Sequence, residues 1–344
     1  QYVPVLDFVT RRIGVAQDLP SAQKRALRRE RFERSAKRVQ AQRQLSMANV
    51  QRDTALAWLD RYYSQATRAL LAQKIDEAQL QVQAAEVAFR SGRGSQADVF
   101  AARAAAIGLE DRLSEIDRQF RSAGLLLTRW VGADVAQRTL TGVPPWQSTP
   151  VEADISSAHL QQYPDLQVIG AEKEAAVTEV RLAQANKESD WSVEAGFSQR
   201  GPGYSDMLFF GVSIPLQWDH KNRQDREVAA AVAMVNESAA RYEDAMRGRE
   251  AEVRSWINDW QSGKERVARY RDSLIPTTQQ RTAAALTSYS TGKSDLSAVL
   301  NARREEIDVH IQALSLERDT ARAWAQLKFL IPDQGTSAQA KDKP

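Results

Sequence analysis

From about Ser21 to Arg90 the chain keeps a helical hydrophobic period, and no proline falls between Pro20 and Pro144. Proline removes a helical donor and clashes with the preceding turn, so this gap permits uninterrupted helix. About 70 helical residues would span about 105 Å. A second such run covers about Lys221 to Ser290. In it Val232, Ala239, Met246, Val253, Trp260, Val267 and Leu274 form an unbroken heptad series. Val228, Val235, Tyr242 and Trp256 supply much of the alternate seam. A sustained heptad implies coiled-coil packing, which places Trp256 and Trp260 in a core. Pro276 is expected to kink this helix near its end. Shorter helices are predicted over about Ala97–Trp130, Ile155–Glu188 and Leu296–Leu330. Two helices of about 34 residues stacked end to end match one of about 70. Pro144, Pro145 and Pro150 mark Val131–Asp154 as an irregular connection.

The period switches to two in a few places. Between Asp190 and Arg200, Trp191, Val193, Ala195 and Phe197 share one face, against Ser192, Glu194, Gly196 and Ser198 on the other. Gly201-Pro202-Gly203 reads as a turn. Leu208, Phe210, Val212, Ile214 and Leu216 then alternate with Phe209, Gly211 and Ser213. Val5 to Leu19 is also strand-like, with its alternation interrupted at Arg11 and Arg12.

The chain repeats itself. Phe89-Arg90-Ser91-Gly92-Arg93 matches Tyr289-Ser290-Thr291-Gly292-Lys293, and Val99, Ala102 and Arg103 match Val299, Ala302 and Arg303, an offset of 200 (289 − 89). Gly14, Val15 and Lys24 match Gly211, Val212 and Lys221, an offset of 197 (211 − 14). The order strand, long helix, glycine turn, shorter helix thus occurs twice. The second copy has a helix and a strand ahead of its Gly-Pro-Gly turn, whereas the first copy begins at the end of such a strand. The expectation is that a helix and a strand precede Gln1. The polar segment 332–344 is expected to be disordered.

Composition narrows the chemistry. The 344 residues contain no Cys and three scattered His (His159, His220, His310). That removes disulfides, thiolate metal sites and cysteine nucleophiles, and makes a His-rich metal site implausible. With 47 basic and 44 acidic residues the net charge is +3, and acids interleave with bases, so no nucleic-acid patch emerges. No apolar run of about 18 residues suggests a transmembrane helix. No nucleophile elbow, catalytic triad or phosphate-binding loop is present, so no catalytic residue, cofactor site or metal site is expected. His220, Met207 and Met246 do not make a metal relay.

Two hairpins give four strands per copy of the chain, too few to close a barrel alone, and open edges are liabilities. An apolar face turned outward and a polar face turned inward suit an outer-membrane barrel, and strands of about 10 residues fit a tilted crossing. Three subunits of four strands would give twelve, an even number. A soluble sheet packed on the helices is the competing arrangement.

The phrases Gly211-Val212-Ser213-Ile214-Pro215-Leu216 with Lys221-Asn222-Arg223, and Tyr289-x-x-Gly292-x-x-Asp295-Leu296-x-x-Val299-Leu300-Asn301-Ala302-Arg303, resemble the TolC family of outer-membrane efflux channels. The first-half counterpart is Phe89-x-x-Gly92-x-x-Ser95-x-x-Asp98-Val99-x-x-Ala102-Arg103. The strand phrase is most similar to the branch serving cobalt–zinc–cadmium-type heavy-metal efflux. The resemblance implies a mainly α fold with a small β part: a homotrimer with a twelve-helix α-barrel through the periplasm and a twelve-stranded barrel in outer-membrane lipid. On that basis 1–20 and 189–220 carry strands, 21–130, 155–188 and 221–331 carry α-barrel helices, and 131–154 joins an equatorial belt. A periplasmic adaptor and an inner-membrane RND-type pump are the implied partners, with the duct itself passive.

The resemblance also implies site residues. Gly92, Ser95, Gln96, Val99, Gly292, Asp295, Leu296 and Val299 lie at the helix tips where adaptor hairpins dock in the family. The glycines suit left-handed C-caps, and Ser95 and Asp295 suit N-caps. The family often places acids just after the tip. Here Ala298-Val299-Leu300-Asn301 lacks them, whereas the first half keeps Asp98. A trimer would set three Asp98 carboxylates in a ring that favours cations, held through partners such as Arg103 or Arg303, with Asn301 at the matching position. Ser192, Glu194, Ser198 and Ser213 are the candidate pore-lining positions, and Trp191 and Trp218 are candidates for an interfacial aromatic girdle. Three functions fit these features: an efflux duct for heavy-metal cations, a multidrug or type I secretion duct of the same fold, or a soluble periplasmic coiled-coil adaptor. Adaptors carry a lipoyl-like β-domain and one hairpin, unlike this chain.

Overall fold

In the computed structural model of the chain, residues 11–148, 157–199 and 205–332 are described. The Gly201-Pro202-Gly203 turn, the end of the Pro-rich connection with Pro150, the first residues of the expected 155–188 helix, the tail from residue 333 and the part of the strand-like stretch before Arg11 lie outside them. The order is β1 (Arg11–Leu19), α1 (Ala22–Arg90), α2 (Gln96–Val131), α3 (Ala133–Ala136), α4 (Ser157–Leu160), α5 (Pro164–Ala185), β2 (Trp191–Gln199), β3 (Met207–Ser213), α6 (Gln224–Arg269), α7 (Ile275–Ser290) and α8 (Leu296–Lys328). No described helix is long and apolar enough to cross a membrane. The contacts divide the chain into two compact units, Gln1–Arg43 with Pro164–Arg247, and Gln44–Tyr163 with Gly248–Pro344.

The helices follow the proline map with three differences. The expected helix over 155–188 is interrupted, because Pro164 lacks an amide donor and disfavours helical backbone at Tyr163. The chain turns there through the Tyr163 N–H to the Leu160 carbonyl at 3.0 Å, and Pro164 opens α5, where its missing donor is harmless. Before Pro276 the irregularity takes the form of a five-residue π-turn, Tyr270–Leu274. One extra residue in the turn accommodates the proline without ending the helical run. The connection after Val131 contains the short α3, started by Gly132 at φ +82°.

In the first unit the described strands form one antiparallel sheet of order β1-β2-β3, three strands where four are expected from two hairpins. Arg11 and Arg12 do not interrupt β1: both pair in register with β2, Arg11 opposite Gln199 and Arg12 opposite Ser198, and the long Arg12 side chain lies over the Phe209 ring. The described strand β3 ends at Ser213, ahead of Pro215, which cannot donate to a ladder. The sheet is tied to the helices through Lys24, whose Nζ donates to the Glu188 carbonyl at 2.6 Å and to Asp190 Oδ1 at 2.7 Å. Arg28 reaches the other Asp190 oxygen at 3.7 Å. Leu27, Leu182 and Ala185 close a small core beside this anchor.

The second unit holds most of the apolar core. Val253, Trp260 and Val267 of the α6 heptad are buried, whereas Val232 and Leu274 in the same series are exposed. The middle of the seam is therefore filled within the chain. Trp256 is half-buried. The Pro-rich connection is pinned from both sides: Trp260 Nε1 donates to the Trp146 carbonyl at 2.7 Å and Trp324 Nε1 to the Ser148 carbonyl at 3.1 Å. Gln65 and Leu140 exchange two further bonds at 3.2 and 3.3 Å. A Cβ on Gly263 would lie 2.3 Å from Thr320 Oγ1, so only glycine permits this approach of α6 to α8.

Candidate functional site

Two regions carry the candidate residues. The first is the pair of helix tips. Helix α1 ends at Gly92, at φ +72°, with the Arg93 N–H bonded to the Ala88 carbonyl at 2.9 Å and the Gly92 N–H to Phe89 at 3.0 Å. Gly292, also at φ +72°, repeats this with Lys293 to Ser288 at 2.8 Å and Gly292 to Tyr289 at 3.0 Å. Both are Schellman caps, so the internal repeat extends to individual hydrogen bonds. Ser95 caps α2 through a capping box with Asp98. Asp295 occupies the equivalent N-cap position of α8, but its side chain makes no capping bond. Of the eight tip candidates, Val99, Leu296 and Val299 point inward, joining Ala85 and Ala102 in a buried cluster. Gly92, Ser95, Gln96, Gly292 and Asp295 are exposed.

The charged candidates have partners other than those expected. Asp98 accepts from the Ser95 amide at 2.9 Å and hydroxyl at 2.7 Å. These bonds hold its carboxyl below the usual range, the hydroxyl contributing most. Arg103 pairs with Glu86 at 2.6 Å and Arg303 with Glu77 at 2.5 Å. Neither reaches Asp98. Asn301 and Arg303 line a groove of about 550 Å³ between α1, α2 and α8. Beside it, Lys74 Nζ lies 3.1 Å from Glu306 and 3.2 Å from Glu77. Glu306 is only 6% exposed. Burial lowers the affinity of nearby His310 for a proton, with Lys74 adding to this and Glu306 opposing it. Sequence reasoning missed this network. Its signal was a Glu within the stripe Val299, Ala302, Glu306, Val309, Ala313 and a Lys within Leu71, Lys74, Ala78. Opposite charges on two otherwise apolar seams mark a buried pair.

The second region is the sheet. Its register aligns Ile13 with Phe197 and Leu208, Val15 with Ala195 and Phe210, Gln17 with Val193 and Val212, and Leu19 with Trp191. This face is open: Val15 is 75% and Phe210 83% exposed. The other face carries Ser192 opposite Ser213 and Glu194 opposite Gly211, while Ser198 is buried. Phe209 also lies on this polar face, where the expected alternation placed it. Its ring covers Gly196, where a Cβ would meet it at 2.3 Å. The Arg12 guanidinium stacks on the same ring at 3.8 Å, and Arg12 lies 3.9 Å from Glu194. Trp218 is 85% exposed.

A polar face opposite an unpartnered apolar one, joined to long heptad helices, can partition a membrane from a water-filled path. Among the described residues no His, Asp and Glu groups gather as a metal site would require. The family model described as outer membrane efflux protein matches residues 155–331. Curated proteins give no match. Among solved structures, those of CusC, concerning folding and transmembrane channel formation, align with a TM-score of 0.82 at 14% identity, over 94% of this chain and 83% of that one. The Campylobacter jejuni CmeC outer membrane channel aligns at 0.77 and 12%, over 97% and 80%. The open-state MtrE outer membrane channel of Neisseria gonorrhoeae aligns at 0.74 and 14%, over 94% and 80%. At these identities the likeness establishes a common fold.

Proposed function

Since this chain belongs to the outer membrane efflux protein family, we propose that it is one of three identical subunits of a passive duct serving an RND-type pump and a periplasmic adaptor, with heavy-metal cations as cargo. The observation that carries the membrane assignment is the open apolar face in register across β1, β2 and β3. A water-soluble protein rarely leaves so large a contiguous apolar surface uncovered. In lipid that face needs no further partner, and Glu194, Arg12 and Ser213 then line an aqueous lumen.

The exposed tip residues Gly92, Ser95, Gln96, Gly292 and Asp295 are the proposed adaptor contacts. Val99, Leu296 and Val299 act beneath them by fixing the shape of the tip. Three copies of Asp98, each carboxyl held below the usual carboxylate range by its bonds from Ser95, would favour cation passage. The cation cargo rests on the strand phrase Gly211-Val212-Ser213-Ile214-Pro215-Leu216 and on this ring. Its test is metal tolerance of a strain lacking the chain, with and without the gene restored. The proposal expects sensitivity to cobalt, zinc or cadmium salts that the gene reverses. Sensitivity to drugs alone would redirect the assignment to multidrug export.

A further inference from the structure

The groove between α1, α2 and α8 lies wholly within the second compact unit, and two of its walls are related by the internal repeat. At the offset of 200, Ala101 and Ala104 on α2 are the equivalents of Asn301 and Arg304 on α8, and all four line the groove. The same positions are thus apolar on one wall and polar on the other. On α2, Ala101, Ala104, Ala105 and Gly108 recur at helical spacing and form one continuous wall of small residues. A Cβ on Gly108 would meet nothing within 4 Å, so this wall borders open space. Leu109 and Leu300 extend the apolar lining. The polar side is rich in donors. Arg303 pairs through Nη1 with Glu77 at 2.5 Å, but its Nε is buried without a hydrogen-bond partner. Gln81 Nε2 on α1 is also buried without a partner, one turn beyond Glu77 on the same helical face. Buried donors are normally satisfied, so two unpartnered ones lining a single groove suit an acceptor from outside the chain. Charge points the same way. No acid lines the groove, and Glu77, Glu306 and Asp308 behind it pair with Arg303, Lys74 and Arg112. Arg304 is exposed and has no ion pair among the described residues.

We propose that this groove binds a small amphiphile with one carboxylate and an aliphatic body. The body lies along the alanine and glycine wall of α2, and the carboxylate accepts from Arg303 Nε, Gln81 Nε2 and the Arg304 guanidinium. The groove holds about 550 Å³, within the range of small-molecule sites. The ionised head gives charge-assisted hydrogen bonds, which set the preference for an acid over a neutral amphiphile. The chain adds affinity through the apolar area that it covers. Neither contribution depends on which cargo the duct carries.

The chain has no cysteine, so one introduced thiol reports on the groove. The full chain carrying Gly108→Cys is reconstituted in phosphatidylcholine nanodiscs. Its rate of maleimide labelling is followed with dodecanoate, dodecanol or acetate at measured free concentration. Dodecanoate at about nine times its dissociation constant leaves about a tenth of the sites open and should slow labelling about tenfold. Dodecanol, which lacks the charge, should bind about tenfold or more weakly, and acetate, which lacks the chain, should not protect. Val143→Cys, at an exposed position in the connection, should label at one rate throughout. Arg304→Gln in the Gly108→Cys background should remove the preference for dodecanoate over dodecanol; an unchanged preference overturns the assigned site. Absence of protection, or equal protection by dodecanoate and dodecanol, overturns the proposal. Protection by acetate makes the groove a plain anion site and overturns it too. So does a thiol that is unreactive before any ligand is added, because the groove is then covered by protein. Ala104→Cys repeats the measurement if Gly108→Cys lowers helical content.

Discussion

Phe210→Lys separates a lipid-facing sheet from a solvent-facing one. Strand β2 has nine residues, and its central residue, Ala195, lies between Val15 and Phe210 in the register. At about 3.3 Å per residue the strand is about 30 Å long, and at a tilt of about 40° it rises about 23 Å, close to the apolar band of an outer-membrane barrel. Phe210 then sits near the bilayer midplane, pointing outward. A lysine there costs about 2–4 kcal/mol per subunit, a factor of about 30 to 900 in the folding equilibrium. If the sheet met water instead, a residue already 83% exposed would tolerate lysine within about 0.5 kcal/mol. The assay is urea-induced unfolding from phospholipid vesicles, followed by tryptophan fluorescence. The comparator is Ala16→Lys, on the polar face opposite Glu194, which should leave stability nearly unchanged. Equal and small effects from both substitutions would refute the assignment of faces.

The other expected outcomes concern the helices. Removing Glu306 (Glu306→Leu) strands Lys74 with only Glu77 and should cost about 3 kcal/mol, whereas the double change Lys74→Met/Glu306→Leu should recover most of it in thermal melts. Gly92→Ala and Gly292→Ala meet no atom within 4 Å, so each should cost only the left-handed backbone penalty, about 1–2 kcal/mol in chemical denaturation. The folded chain depresses the His310 proton affinity below its ordinary value of about 6.5, so the unfolded state binds more protons there. Stability should therefore fall as pH drops below about 6.5, and His310→Gln should flatten that part of the pH–melting curve. Asp98→Ala should raise leak conductance in planar bilayers, and Asp98→Asn should reduce cation selectivity; closed-state conductance and selectivity unaltered in both would remove Asp98 from the gate.

The readable part of this fold was set by local chemistry. Proline positions and the heptad of α6 locate the long helices, and the two glycine turns locate both tips, because each of these acts within a few residues. The sheet faces were legible from alternation alone. What escaped was tertiary. Nothing near Asp98 in sequence says that Ser95, rather than a distant arginine, would occupy its oxygens, although the Ser-x-x-Asp spacing of a capping box was available. The Lys74–Glu306 pair joins residues 232 apart, and only the heptad phases of both helices read together could bring them into register. Pro164 interrupts a pattern that periodicity alone extends through it, and Pro276 is absorbed by a π-turn that periodicity cannot foresee.

The duct itself is tested most directly by single-channel recording of the purified full chain in a planar lipid bilayer. The account predicts discrete, long-lived, cation-selective conductance steps, with leak that rises on Asp98→Ala. A preparation that inserts no channels and stays in the aqueous phase without detergent would contradict it.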